Sequence, residues 1–219
     1  MKIGIIGAGF MGRGLASLAL KNGHEVMISN SRDPKTLMSA AIAIGCKVGT
    51  AEQAATFGDL VIVAIPLKNY RALPVQPLTG KIVVDANNYY PERDGKIAAL
   101  ETKTTTTSEL LEKHLPASIV VKAFNAILQR DLSRDGRPSS SADRRALPIA
   151  GDDTDAKRIV TTLIDEFGFD VVDAGPLSAG WRFERAKPAY CVRNDVKGLK
   201  HALAAAERKV ELPDGSWRR

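Results

Sequence analysis

Met1-Lys2-Ile3-Gly4-Ile5-Ile6 runs directly into Gly7-Ala8-Gly9-Phe10-Met11-Gly12, and this stretch decides the fold. A short apolar run, three glycines at this spacing and then Leu15, Leu18 and Ala19 at helical intervals read as strand, tight turn and helix. In such a turn Gly7 permits the bend, Gly9 lets the backbone approach a pyrophosphate, and Gly12 allows close helix-strand packing, while helix N-terminal amides meet the negative charge. Phe10 and Met11 lie inside the loop and count with the glycines as candidate nucleotide contacts. A bare glycine turn in a sheet without ligand is the competing reading. It is weaker because the motif sits directly between strand and helix.

Working outward, short apolar runs alternate with helical patterns, the mark of βαβ units and a parallel sheet. Strands are expected at Ile3 to Ile6, Glu25 to Ser29, Lys47 to Val48, Leu60 to Ala64, Ile82 to Asp85 and Ile119 to Ala123, with two more at Leu147 to Ala150 and Phe169 to Val172. The first helix should end near Asn22-Gly23. A later one carries Ile159, Val160, Leu163, Ile164 and Phe167 on one face, with Gly168 behind it. Thr106 and Glu109 are spaced as a capping box that opens a helix before Leu110, Leu111 and Leu115. Ser133 to Arg145 reads as an exposed loop, and the chain beyond Pro176 as a small part with a long Ala- and Leu-rich helix through Glu207. The expected fold is α/β, a Rossmann doubly wound, mainly parallel sheet with a small C-terminal helical part. The boundary is drawn between a 1–175 nucleotide-binding domain and a 176–219 helical part.

The second strand should end at Asn30-Ser31-Arg32, where NAD-specific domains place an acid on the ribose 2′-hydroxyl. A carboxylate would repel a 2′-phosphate, whereas Ser31 donates a hydrogen bond, Arg32 pairs bidentately and Lys35 adds charge. The expected cofactor is therefore NADP(H). The competing reading leaves that loop in solvent and gives the ribose to Asp33. Ligands in open α/β sheets bind outside the carboxyl ends of the strands. Ile65-Pro66 and Asn87 become candidate contacts on the nicotinamide-ribose side, and Asn125 and Ile127 candidate positioning residues, although each asparagine could simply cap a turn. The strand ends show no His, Lys or Tyr paired with a second group as an acid-base relay.

With 44% hydrophobic and 26% charged residues the 219-residue chain falls outside the disordered and fibrous classes. The net charge of +6 comes without a run of Lys and Arg interleaved with aromatics, so an anionic cofactor explains it better than nucleic acid. Cys46 and Cys191 read as free thiols, with no histidines at metal-ligand spacing and hence no metal site. The N-terminus leaves no room for a signal peptide's apolar region, and no apolar run approaches the ~18 residues of a membrane span, so a cytoplasmic location is expected.

These features together resemble the coenzyme F420-dependent NADP oxidoreductases and their bacterial relatives among NADPH-dependent reductases. The residues that carry the resemblance are Gly7 to Gly12, Ser31-Arg32, Ile65-Pro66, Val121 to Ile127, Ala150-Gly151-Asp152-Asp153 and Asp173-Ala174-Gly175-Pro176-Leu177. It implies a homodimer whose C-terminal part shapes a pocket over the nicotinamide, and hydride transfer between NADP(H) and a small redox acceptor, coenzyme F420 or another flavin-like ring. Family members that use the deazaflavin carry a histidine where this chain has Asn125. Trp181-Arg182-Phe183-Glu184-Arg185 looks like the bacterial branch: Trp181 reads either as a stacking surface or as a core or dimer anchor, and Arg182 and Arg185 either as anion contacts or as solvated charge. Two other classes fit the same residues, a reductase of a small imine or carbonyl and an NADPH sensor that binds a protein partner. Larger dehydrogenases with this nucleotide half need more chain than the 43 residues after Pro176.

Overall fold

The computed structural model describes residues 1–213, 215 and 216; the last part of the expected 176–219 segment, residues 214 and 217–219, lies outside the described residues. Eight strands form one sheet: β1 (Lys2–Ile6), β2 (Glu25–Ser29), β3 (Lys47–Gly49), β4 (Leu60–Val63), β5 (Ile82–Asp85), β6 (Ile119–Lys122), β7 (Ala146–Gly151) and β8 (Asp170–Asp173), in the order β3-β2-β1-β4-β5-β6-β7-β8. All neighbours pair in parallel except β6 and β7, which run antiparallel. This is a Rossmann sheet with two added strands beyond β6.

The helices are α1 (Phe10–Lys21), α2 (Met38–Ile44), α3 (Ala51–Phe57), α4 (Val75–Leu78), α5 (Pro91–Asp94), α6 (Ala98–Glu101), α7 (Thr107–His114), α8 (Gln129–Arg134), α9 (Thr154–Glu166) and α10 (Val196–Ala204), with 3-10 turns at Pro34–Leu37, Leu67–Ala72 and Leu177–Phe183. Strand runs such as Leu60-Val61-Ile62-Val63 are apolar throughout because both faces are covered. One face packs Ile3, Ile5 and Ile62 against Leu15 of α1 and Val160, Leu163 and Ile164 of α9. The other sets Val61 and Val83 against Ala54 of α3 and Leu111 of α7, whose first turn carries the expected capping box of Thr106 and Glu109. A smaller cluster docks Phe183, Leu199 and Leu203 on Ala146, Ala150 and Val172.

Strand register decides where the site lies. Ser29 pairs with Ile6, Ile6 with Val63, Val63 with Asp85 and Asp85 with Lys122, so one row of residues crosses the carboxyl rim from β2 to β6. The row continues into the turns, since Gly7, Ala64, Ala86 and Ala123 each donate a backbone bond to the row.

Two expectations are corrected. The segment Ser133 to Arg145 is exposed only in part: α8 takes its start, and Arg144 and Arg145 at its end are buried. Ion pairs draw them in, Arg144 to Asp165 and Asp170, and Arg145 to Asp135 and Asp131. The C-terminal helix is also shorter than the pattern predicts. It opens on the Asp195 cap and stops at Ala204, and the carbonyls of Glu207, Arg208 and Val210 turn instead toward the Lys187 ammonium.

Candidate functional site at the carboxyl rim

At the end of β1 the chain bends at Gly7, with φ +117°, a conformation that side chains disfavour. A Cβ there would lie 2.1 Å from the Ala64 carbonyl oxygen, and one at Gly12 would lie 1.8 Å from the Gly7 oxygen. Gly9 differs: a Cβ there meets nothing within 4 Å. The protein closes around two of the glycines and leaves a cradle at the third. Above it α1 begins with neither a side-chain cap nor an acidic residue in its first turn, so its amides are free for an anion. Phe10 stands 84% exposed beside the cradle and Met11 is half-buried. Open space plus uncapped amides fits a pyrophosphate.

Beyond β2, Asn30 orders the loop, its Oδ1 accepting from the Arg32 amide and its Nδ2 donating to Thr36 Oγ1. Asp33 caps the following 3-10 turn, accepting from the Lys35 amide at 2.8 Å. Ser31, Arg32 and Lys35 are exposed, and among the described residues neither cation has a salt-bridge partner. With the carboxylate of Asp33 engaged locally and two cations unpaired, the loop fits a 2′-phosphate.

The far half of the rim is closed. Ile65 and Pro66 are half-buried after β4, and the Ile65 amide donates to Asn87 Oδ1 at 2.8 Å. Asn87 and Asn125 are 2% and 1% exposed. Asn88 Nδ2 donates to the Asn125 carbonyl, while Asn125 Nδ2 donates to Asn88 Oδ1 and to the Phe183 carbonyl. Two polar atoms remain buried without partners here, the donor Asn87 Nδ2 and the acceptor Asn125 Oδ1. Both atoms are sealed from solvent, and an unmet donor and an unmet acceptor at the strand ends match in kind the two polar atoms of a primary carboxamide. Ile127, expected beside them, lies in the main core at 2% exposure.

The rim also holds what the sequence reading missed. β6 ends at Lys122 rather than Ala123, and its ammonium pairs with Asp85 at the end of β5, Nζ to Oδ2 3.6 Å, with both side chains fully buried. Lys122 Nζ donates to Thr107 Oγ1 at 2.7 Å, Ser108 Oγ at 3.2 Å and the Asn87 carbonyl at 3.4 Å. Ser108 donates to Asp85, and Thr107 to Glu184. The expectation that no strand end pairs a lysine with a second group is therefore corrected, although burial keeps this pair from touching a bound ring. A lysine closing the apolar run Ile119-Val120-Val121 was the available signal, since such a strand end is covered.

Trp181, half-buried, lies under the cations of Arg182, Lys187 and Arg208 at 4.8, 5.7 and 5.6 Å from the ring. Arg182 donates to the Leu203 carbonyl, and Arg185 pairs with Glu92 at 2.9 Å. The ring therefore anchors the C-terminal tail. Beside it opens a cavity of about 370 Å³ bounded by Tyr89, Glu101, Trp181, Glu184, Arg208 and Leu212. Nearby, burial pushes the Tyr190 hydroxyl up and the Cys191 thiol up to about 12. No helix among the described residues is long and apolar enough to cross a membrane.

Comparison with known proteins follows the same division of the chain. The model of the family described as NADP oxidoreductase, coenzyme F420-dependent, matches residues 2–89, which hold the glycine turn, the loop of Ser31, Arg32 and Lys35, and Asn87. Rat metalloreductase STEAP3 is 30% identical over 185 residues, 84% of this chain and 36% of that protein, so the chain spans about a third of its length. Among solved structures, the hypothetical protein SMa0349 of Sinorhizobium meliloti is 29% identical, with a TM-score of 0.75 over 89% of this chain and 94% of that one. A proposed F420-dependent NADP-reductase from Arthrobacter sp. FB24 is 28% identical, with a TM-score of 0.70 over 80% and 85%. The family model thus matches the nucleotide-binding half of the chain, and the likeness to the Arthrobacter protein extends over most of the rest.

Proposed function

We propose that this chain binds NADP(H) along the carboxyl rim and passes a hydride between it and a flavin-like acceptor, a deazaflavin of the F420 type or a flavin, working as a homodimer. When bound, the cofactor supplies a hydride from its nicotinamide ring, and a proton from water completes the reduced acceptor. Gly9 and the first amides of α1 hold the pyrophosphate, and Ser31, Arg32 and Lys35 hold the 2′-phosphate. Asn87 and Asn125 orient the nicotinamide through the two unmet amide atoms. One observation supports the acceptor class: the rim's ionisable pair, Lys122 and Asp85, is sealed and does not serve as the placed proton donor that reduction of a carbonyl needs. A flavin-like ring takes a hydride with little such help. The metalloreductase relative is compatible, because a metal ion takes electrons singly and a hydride reaches it only through a carrier that splits the pair.

The test is anaerobic turnover of NADPH with flavins, a deazaflavin, quinones, imines and carbonyls. Oxidation with the flavin-like rings is expected. Oxidation with imines or carbonyls alone would reassign the acceptor, and tight NADPH binding with no acceptor would make the chain a sensor. Sedimentation at micromolar concentration should find a dimer; a monomer would contradict that part.

A further inference from the structure

We infer that Lys122 is a positioning residue, one that sets the nicotinamide-binding turn through the carbonyl of Asn87. This rests on the NADP(H) reading above and adds a residue that makes no contact with the cofactor. A buried ammonium has only three protons to place, and each acceptor it chooses fixes a neighbour. Those of Lys122 reach three acceptors on two elements: Thr107 and Ser108 in the first turn of α7, and the Asn87 carbonyl in the turn after β5. The charge is held by Asp85 at 3.6 Å and Glu184 at 3.7 Å.

The network converges on one turn from both sides. Asp85 Oδ1 accepts from the Asn87 amide at 3.0 Å, so the peptide groups on either side of Asn87 are tied to the Lys122-Asp85 pair. The Asn87 side chain is then held by the Ile65 amide through Oδ1, which leaves Nδ2 buried and unmet. Gly180 makes room for the lysine, since a Cβ there would lie 2.8 Å from Lys122 Cδ. Glu184, with 20% of its side chain exposed, also accepts from both the amide and the hydroxyl of Thr107, so the C-terminal segment is built into the same network. Replacing an internal ion pair by apolar groups is often neutral for stability. A pair kept at this turn is explained by what it orients.

The test separates the two ends of the cofactor. Dissociation constants are measured for NADPH and for 2′-phospho-ADP-ribose, which lacks the nicotinamide, on the parent, Lys122→Met and the double variant Lys122→Met/Asp85→Asn. The double variant removes both charges and leaves no lone buried carboxylate. In the parent NADPH should bind about tenfold tighter than the fragment, one orienting pair of hydrogen bonds. In both variants that ratio should fall toward one while fragment affinity stays within about twofold, which also reports an intact fold.

Equal weakening of NADPH and fragment, or an unchanged ratio, would overturn the proposal. So would a parent ratio near one, or recovery of the ratio in the double variant, which would reduce Lys122 to a counter-ion for Asp85. A parent that binds neither ligand would instead refute the NADP(H) reading itself. Glu184→Gln, which keeps the shape and removes the charge, should lower the ratio less than Lys122→Met; an effect on the fragment alone would also count against the network.

Discussion

The two halves of the carboxyl rim are built in opposite ways. Around β1 and β2 the site is open: space at Gly9, uncapped amides on α1, and Arg32 and Lys35 exposed with no salt-bridge partner among the described residues. Around β5 and β6 it is closed and interlocked, with Asn87, Asn125, Asp85 and Lys122 each at most 2% exposed. Affinity can be supplied by an open, charged cradle without precise side-chain placement, because backbone amides and phosphates set the geometry. Ring orientation needs atoms fixed to within a fraction of an ångström, and a buried hydrogen-bonded network supplies that. On the proposed function, the open half serves binding and the closed half positioning. Substitutions in the two halves should therefore fail differently.

The largest effect is expected inside the glycine turn. Gly12→Ala drives a Cβ to 1.8 Å from the Gly7 oxygen, so nucleotide binding should be lost together with roughly 2 to 4 kcal/mol of stability. Gly9→Ala sharpens the point: with φ −72° and open space the fold should be unchanged, while NADPH affinity drops about tenfold or more as the Cβ enters the cradle. Calorimetry and thermal unfolding on both variants check this, and a stability loss in Gly9→Ala equal to that of Gly12→Ala would erase the distinction.

In the closed half, Asn125→Ala should slow turnover roughly ten- to a hundredfold through misplacement, with NADPH affinity falling only about threefold, the share of one of the two orienting hydrogen bonds. Unchanged turnover would remove Asn125 from the site. Back in the open half, one charge-assisted phosphate contact is worth ~1.5 to 3 kcal/mol, so NADPH should bind about tenfold or more tighter than NADH, and Arg32→Ala should erase most of that preference. Equal dissociation constants in the parent would return the ribose to Asp33.

The smallest effect is on alkaline stability. Burial raises the Cys191 thiol to about 12, above its usual ~8.5, so the folded chain keeps a proton that the unfolded chain loses. Stability from this group is complete below about pH 8.5 and falls as pH rises toward the folded value, by ~1 to 3 kcal/mol near pH 10.5. Parent stability should therefore decline more steeply with pH than that of Cys191→Ala; parallel curves would contradict the assignment.

What was legible in the sequence follows the same divide. Strand, turn and helix at residues 3 to 19, the capping box at Thr106 and the exposed loop of Ser31, Arg32 and Lys35 are local, written in residues within a few positions of one another. Lys122 with Asp85, Thr107 and Glu184 is not: these partners meet only because sheet register places β6 beside β5 and the turn Leu177–Phe183 folds back over them. Ile127 looked like a rim residue by spacing but turns into the main core, and Trp181, which reads either as a stacking surface or as a core or dimer anchor, lies under three cations of its own segment. Arg144 and Arg145 read as loop charge for the same reason, since the aspartates that bury them lie on other elements.

The central claim is direct hydride transfer from NADPH held on this rim to a flavin-like ring. It is tested most directly by anaerobic reaction of NADPH, deuterated on the transferring face of the nicotinamide, with a deazaflavin whose ring carbon keeps the deuterium it receives. The account predicts deuterium in the reduced deazaflavin at the level carried by the cofactor, with a slowed transfer in Asn125→Ala. Oxidation of NADPH with the label appearing in water, or no oxidation by any flavin-like ring, would contradict it.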